Sequence, residues 1–92
     1  MINKRATILV VDDERINIQI LNNALRDEYN ILAAMTGEQA IKVAQESLPD
    51  LILLDIILGD TSGHDVCKVL KNSELTQHIP IIFVTAQSKA ED

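Results

Sequence analysis

The 92-residue chain is long enough for one small domain, in which only ~60–65% of the unfolded chain's surface is buried. Eight basic residues against fourteen acidic ones leave a net charge of −6, which argues against direct nucleic-acid binding by this segment. A single cysteine, Cys67, excludes an internal disulfide, and no apolar run reaches the ~18 residues of a membrane span.

Hydrophobic residues make up 47% of the chain, but Tyr29 and Phe83 are its only aromatics, so the core must be built from Ile, Leu, Val and Ala. Residues 6–11, Ala-Thr-Ile-Leu-Val-Val, predict a short buried strand. It ends at Asp12-Asp13-Glu14, three consecutive acids that read either as a solvated turn or as a site for a hard divalent cation. A helical pattern begins at Arg15, with Ile16, Ile20 and Ala24 four apart and Leu21 and Leu25 widening the stripe. Asp13 could equally serve as a cap for that helix.

Residues 29–34 predict a second, weaker strand. Thr36 and Gln39 have the spacing of a capping box, and Ala40, Ile41, Val43, Ala44 and Leu48 form the apolar side of a second helix. Residues 47–50, Ser-Leu-Pro-Asp, break it. The central strand follows, residues 51–58, in which seven large aliphatics surround one carboxylate, Asp55. An ionised carboxylate inside such a run is costly unless a cation or strong donors compensate it. If the strand ends near Asp55, the side chain emerges at the carboxyl edge of the sheet, where open α/β folds place ligands. The alternative is a strand-ending Asp that caps a turn. A loop over residues 59–63 leads to a third helix capped by Ser62, with Val66, Cys67, Val69 and Leu70 apolar. Residues 81–84 predict a fourth strand, followed by Thr85-Ala86, and residues 87–92 look like the approach to a further helix.

Strands alternating with helices imply parallel βαβ units, and right-handed crossovers bring every strand's carboxyl end to one edge. Asp12, Asp13, Asp55 and Thr85 all sit at such ends. Three carboxylates on one rim can serve as a Mg²⁺ site. Asp55 is the best candidate nucleophile, since a carboxylate can form an acyl phosphate. The Thr85 hydroxyl can donate to a phosphoryl oxygen or bond its own backbone. His64 and Cys67, three apart on a helix, are two ligands at most and do not make a zinc site.

These residues together resemble the receiver domain of bacterial response regulators (CheY-like). The matching segments are Leu9-Val-Val-Asp12-Asp13-Glu14, the strand from Leu51 to Asp55, Gly63 eight residues beyond Asp55, and Ile81 to Thr85-Ala86. The resemblance implies a doubly wound, flavodoxin-like α/β fold spanning residues 1–92 as a single receiver domain. It also implies a cytoplasmic, two-component signalling module that is not a turnover enzyme. Asp55 would be the phosphoacceptor, filled from a histidine kinase or phosphotransfer protein. Asp13 and Asp55 would ligate Mg²⁺ directly, Asp12 through water, and the backbone carbonyl of Ile57 would be a further ligand. Thr85 would be the switch hydroxyl.

Two departures bear on these expectations. Gly59 stands where the family usually carries proline, which implies a looser loop. The chain also stops before the family's fifth strand, with its essential lysine, and before its last helix; Lys89 does not match that lysine. The expectation is therefore a receiver domain incomplete at its C-terminus, self-associating through an uncovered fourth strand, with the output domain unread. Two competing functions are a receiver-like scaffold that is never phosphorylated and a Mg²⁺-dependent phosphatase with an Asp nucleophile. Haloacid-dehalogenase-like phosphatases carry a second Asp two residues after the first, and here that position is Ile57.

Overall fold

A computed structural model describes residues 5–84. Thr85, Ala86, Lys89 and the anticipated approach to a further helix lie outside the described residues. Within them the elements alternate as predicted: β1 (Thr7–Val11), α1 (Arg15–Leu25), β2 (Asn30–Ala34), α2 (Gly37–Ser47), β3 (Leu51–Leu54), α3 (Gly63–Lys71) and β4 (Ile81–Phe83). The four strands are all parallel, in the order β2-β1-β3-β4.

Strand alternation divides the sheet into two faces. Leu9 and Val11 of β1 and Ile52 and Leu54 of β3 point to one side. There they pack with Ala40 and Ala44 of α2, Val66 and Leu70 of α3, and Ile79. All of these are essentially inaccessible to solvent, and they form the main core. The two alanines of α2 let that helix approach the sheet closely. Ile8 and Val10 face the other side, which carries α1. An apolar groove of about 480 Å³, lined by Ala6, Ile8, Leu25, Tyr29, Leu51 and Leu53, runs beside α1 on that face.

The helix ends follow local chemistry. Thr36 Oγ1 accepts from the amide of Gln39 at 3.1 Å, while Gln39 Oε1 accepts from the amide of Met35 at 3.0 Å. This is the anticipated capping box, displaced by one residue on its return arm. Ser62 Oγ caps α3 through the amide of Asp65 at 3.1 Å. Lys68 and Lys71 occupy the last turn of α3, where cations favour the carbonyl end.

Three expectations differ from the structure. Ile16 and Ile20 do not face the core; each is 58% exposed, and Ala24 is exposed with them, while Ile18, Leu21 and Leu25 turn inward. Helix α1 carries two apolar stripes, and a sequence pattern alone does not choose between them. Leu48 is not on the packed side of α2. It is the C-cap, left-handed at φ 49° and half-exposed, because the following Pro49 disfavours continuation of the helix. Finally, β3 does not run to residue 58 but ends at Leu54, the earlier stop near Asp55 that the sequence also allowed. Ile57 is 72% exposed, and only Leu58 returns to the core.

Candidate metal and phosphoacceptor site

The early end of β3 sets the site. Leu54 is paired with Val11, and beyond that last rung the amide of Asp55 still donates to the Val11 carbonyl at 3.0 Å. On the other side of β1, the amide of Asp12 donates to Ala34 at 3.1 Å. Asp12 and Asp55 therefore leave adjacent strands side by side at the carboxyl edge, and Asp13 follows Asp12. Carboxylate oxygens of Asp12, Asp13 and Asp55 lie within 4.8 Å of one another. The sequence-derived convergence of these three residues is thus present, and among the described residues it is the one cluster with metal-ligating composition. His64 and Cys67 join no such cluster: the His64 ring stacks obliquely on Phe83 with centroids 4.8 Å apart, and Cys67 packs against the main core.

The three carboxylates differ in environment. Asp12 is buried, at 4% exposure. Its Oδ1 accepts from the amide of Glu14 at 2.9 Å and from Asn17 Nδ2 at 3.3 Å, which offsets part of the desolvation of the charge. Asp13 is exposed and does not cap α1; the N-cap position is Glu14, which makes no side-chain cap bond. Asn17 is a site residue that sequence reasoning passed over. It sits in the first turn of α1 and also reaches Glu14 Oε1 at 3.3 Å. Its signal was a polar side chain next to Ile16 and Ile18, legible only once the inward side of α1 is known.

Asp55 is half-buried. Desolvation pushes its carboxyl above the ordinary range, and the neighbouring charges of Asp12 and Asp13 push it the same way. Backbone amides of Ile57 and Ile56 pull in the opposite direction; the Ile57 amide donates to Asp55 Oδ1 at 3.3 Å. Three acids this close repel one another, so a divalent cation bound among them would relieve the repulsion. Oxygen-only donors at one rim suit a hard cation such as Mg²⁺.

The loop after Asp55 is tightly closed. The amide of Gly63 donates to the Ile56 carbonyl at 2.5 Å, and that of Leu58 to Thr61 at 3.1 Å. A side chain at residue 63 would collide with the Asp55 carbonyl oxygen and with Ile56 Cα, so only glycine fits. On the other flank, the amide of Val84 donates to Leu54 at 2.9 Å, which fixes the residue preceding Thr85 beside β3. Thr85 itself lies outside the described residues.

Residues 8–92 match the response regulator receiver domain as a family. The chain belongs to that family. Its receiver-domain relatives include the response regulator PleD of Caulobacter vibrioides, 43% identical over 82 residues, covering 88% of this chain and 18% of PleD. A probable cyclic di-GMP phosphodiesterase of Vibrio cholerae is 40% identical over 88 residues, covering 96% of this chain and 20% of that protein. The chain thus spans about a fifth of these two curated relatives. Among solved structures, the N-terminal domain of a response regulator receiver protein from Methanoculleus marisnigri JR1 superposes with a TM-score of 0.86 at 31% identity. That match covers 95% of this chain and 72% of the other. The parallel α/β arrangement seen here is shared with that solved receiver structure. Receiver domains as a family are phosphoacceptor modules of two-component systems that work with histidine kinases or phosphotransfer proteins.

Proposed function

We propose that Asp55 is the phosphoacceptor of this receiver domain, working with Mg²⁺ held by Asp12, Asp13, Asp55 and the backbone carbonyl of Ile57. The observation that carries this reading is the shared rim: Asp55 leaves β3 one rung beyond its pairing with β1, with its carboxylate within 4.8 Å of those of Asp12 and Asp13. An Asp55 carboxylate oxygen attacks phosphorus of a phosphohistidine. The P–N bond breaks, its electron pair stays with the imidazole nitrogen, and an acyl phosphate forms on Asp55. Bound Mg²⁺ would neutralise charge on the transferring phosphoryl group. Asp13 is exposed and free to ligate directly, whereas the bonds from Glu14 and Asn17 hold Asp12 as a fixed buried charge that suits a water-mediated contact. Ile57, two residues past Asp55, is held by its own amide to the Asp55 carboxylate, which keeps its backbone near the cluster. Thr85, the residue after Val84, is assigned as the switch hydroxyl.

Several further assignments rest on the same reading. Residues 1–92 act as one receiver domain and as a signalling module without turnover; the Ile57 side chain, apolar and 72% exposed, stands where the phosphatase alternative needs a second acid. The phosphodonor is a histidine kinase or phosphotransfer protein in the cytoplasm. Self-association through β4 belongs to the same reading: Ile82 is 51% exposed there and, among the described residues, only β3 provides pairing.

Incubation with acetyl phosphate and Mg²⁺ tests the central assignment. Intact mass spectrometry should show one added phosphoryl group, absent in Asp55→Asn. Label retained in that variant would place the nucleophile elsewhere.

A further inference from the structure

Asp60 ties its loop to the start of α2. It lies in the loop between β3 and α3, five residues past Asp55, and its carboxylate is spent on another element. Its Oδ1 accepts from the amide of Gly37 at 2.8 Å, and its Oδ2 from the amides of Gly37 and Glu38 at 3.1 and 3.2 Å. Those are the first two residues of α2, and the third, Gln39, is capped by Thr36. The first four amides of a helix lack partners within it. In α2 the local cap takes one of them and a residue from a different loop takes two.

The fit is built from both sides. A side chain at residue 37 would collide with Thr61 Cγ2 and come within 2.9 Å of Val66 Cγ2, so glycine there lets the loop and α3 close on the helix end. Asp60 also places a negative charge at the positive end of the α2 dipole. Its carboxyl is held below the ordinary range, chiefly by the bond from the Gly37 amide. Gly59, immediately before it, has no atom within 4 Å of where a side chain would stand and contributes no rigidity of its own.

We propose that Asp60 is a positioning residue for the phosphoacceptor site: by anchoring the loop to α2 it fixes the segment that carries the Asp55 and Ile57 ligand atoms. This rests on the assignment of Asp55 and Ile57 to that site. Residues that orient ligands from behind typically contribute 10–100-fold to metal affinity or activity. The loop's own internal bond, Leu58 to Thr61, brackets Asp60 and reports directly on whether it is ordered.

Two measurements on the full-length protein decide the matter. Phosphorylation by acetyl phosphate is followed as a function of Mg²⁺ concentration. Asp60→Ala should raise the half-saturating Mg²⁺ concentration by about tenfold, and Asp60→Asn, which keeps an acceptor oxygen, should restore part of it. Thr36→Ala weakens the same helix end without touching the loop, and should leave half-saturation unchanged. Amide hydrogen exchange without metal should accelerate at Leu58 in Asp60→Ala and not in Thr36→Ala. Wild-type half-saturation in Asp60→Ala, an equal rise in Thr36→Ala, or unchanged exchange at Leu58 would overturn the proposal. A wild-type protein that takes no phosphoryl group at Asp55 would instead defeat the site assignment, and the exchange measurement would still judge the anchor.

Discussion

The amide of Asp55 donates to the carbonyl of Val11 at 3.0 Å, one step past the last residue of β3. That bond carries the sheet ladder to its end and sets the nucleophile candidate beside Asp12. Had β3 continued in register to residue 58, Asp55 would sit inside the sheet with its charge uncompensated. The acidic rim therefore depends on where the strand stops as much as on which residues it contains.

Metal binding should be visible as stability. A cation that binds only the folded state stabilises by mass action, by about 1.4 kcal/mol at ten times its Kd. Added Mg²⁺ should raise the thermal midpoint of the wild-type domain, and Asp13→Asn should remove the effect. Calorimetric scans with and without Mg²⁺ check this; an unchanged midpoint in the wild type counts against the cluster as a cation site.

Asp55→Asn should be more stable than wild type in the absence of divalent cations. The folded-state carboxyl of Asp55 is raised by desolvation and by Asp12 and Asp13, so ionised Asp55 opposes folding above its unfolded-state pKa. Removing the charge relieves that, on the order of 1 kcal/mol or less, the scale of partly exposed charge pairs. The gain should disappear once Mg²⁺ saturates the wild type. Urea titrations at pH 7 measure both arms, and a destabilised variant would mean that Asp55 hydrogen bonds outweigh repulsion.

Gly63→Ala should be severely destabilising for so small a change. The added methyl meets backbone atoms of Asp55 and Ile56, which cannot rotate aside as a side chain could. Overpacking of this kind costs about 1–3 kcal/mol. Gly59→Ala, where the space is open, serves as the comparison and should cost little. Equal midpoints for the two variants in a denaturant titration would show that the loop relaxes freely.

Asp60 and Asp55 should pull the acid profile in opposite directions. Asp60 has a lowered folded-state pKa, so its contribution is present above its unfolded value near 3.8 and is lost as pH falls through the lower folded value. Asp55 has a raised one, so its unfavourable contribution fades as pH falls through the folded value toward the unfolded one. Asp60→Asn should therefore lose less stability than wild type on acidification below pH 3.8. Stability measured between pH 5 and 2.5 tests the sign, and a steeper acid loss in Asp60→Asn would reverse it.

The sequence by itself determined the alternation of strands and helices, the caps at Thr36 and Ser62, and the convergence of Asp12, Asp13 and Asp55 on one edge. Those follow from local periodicity, short-range hydrogen bonding and the handedness of parallel connections, none of which needs distant contacts. Tertiary structure decided the rest. It chose which apolar stripe of α1 turns inward, leaving Ile16 and Ile20 outside and bringing Asn17 to Asp12. It ended β3 at Leu54, because the backbone of Ile56 is taken by Gly63 and that of Leu58 by Thr61. It also gave the start of α2 a second cap from Asp60, 23 residues beyond Gly37. Each of these depends on a partner far along the chain, where burial and hydrogen-bond geometry rather than residue type select the outcome.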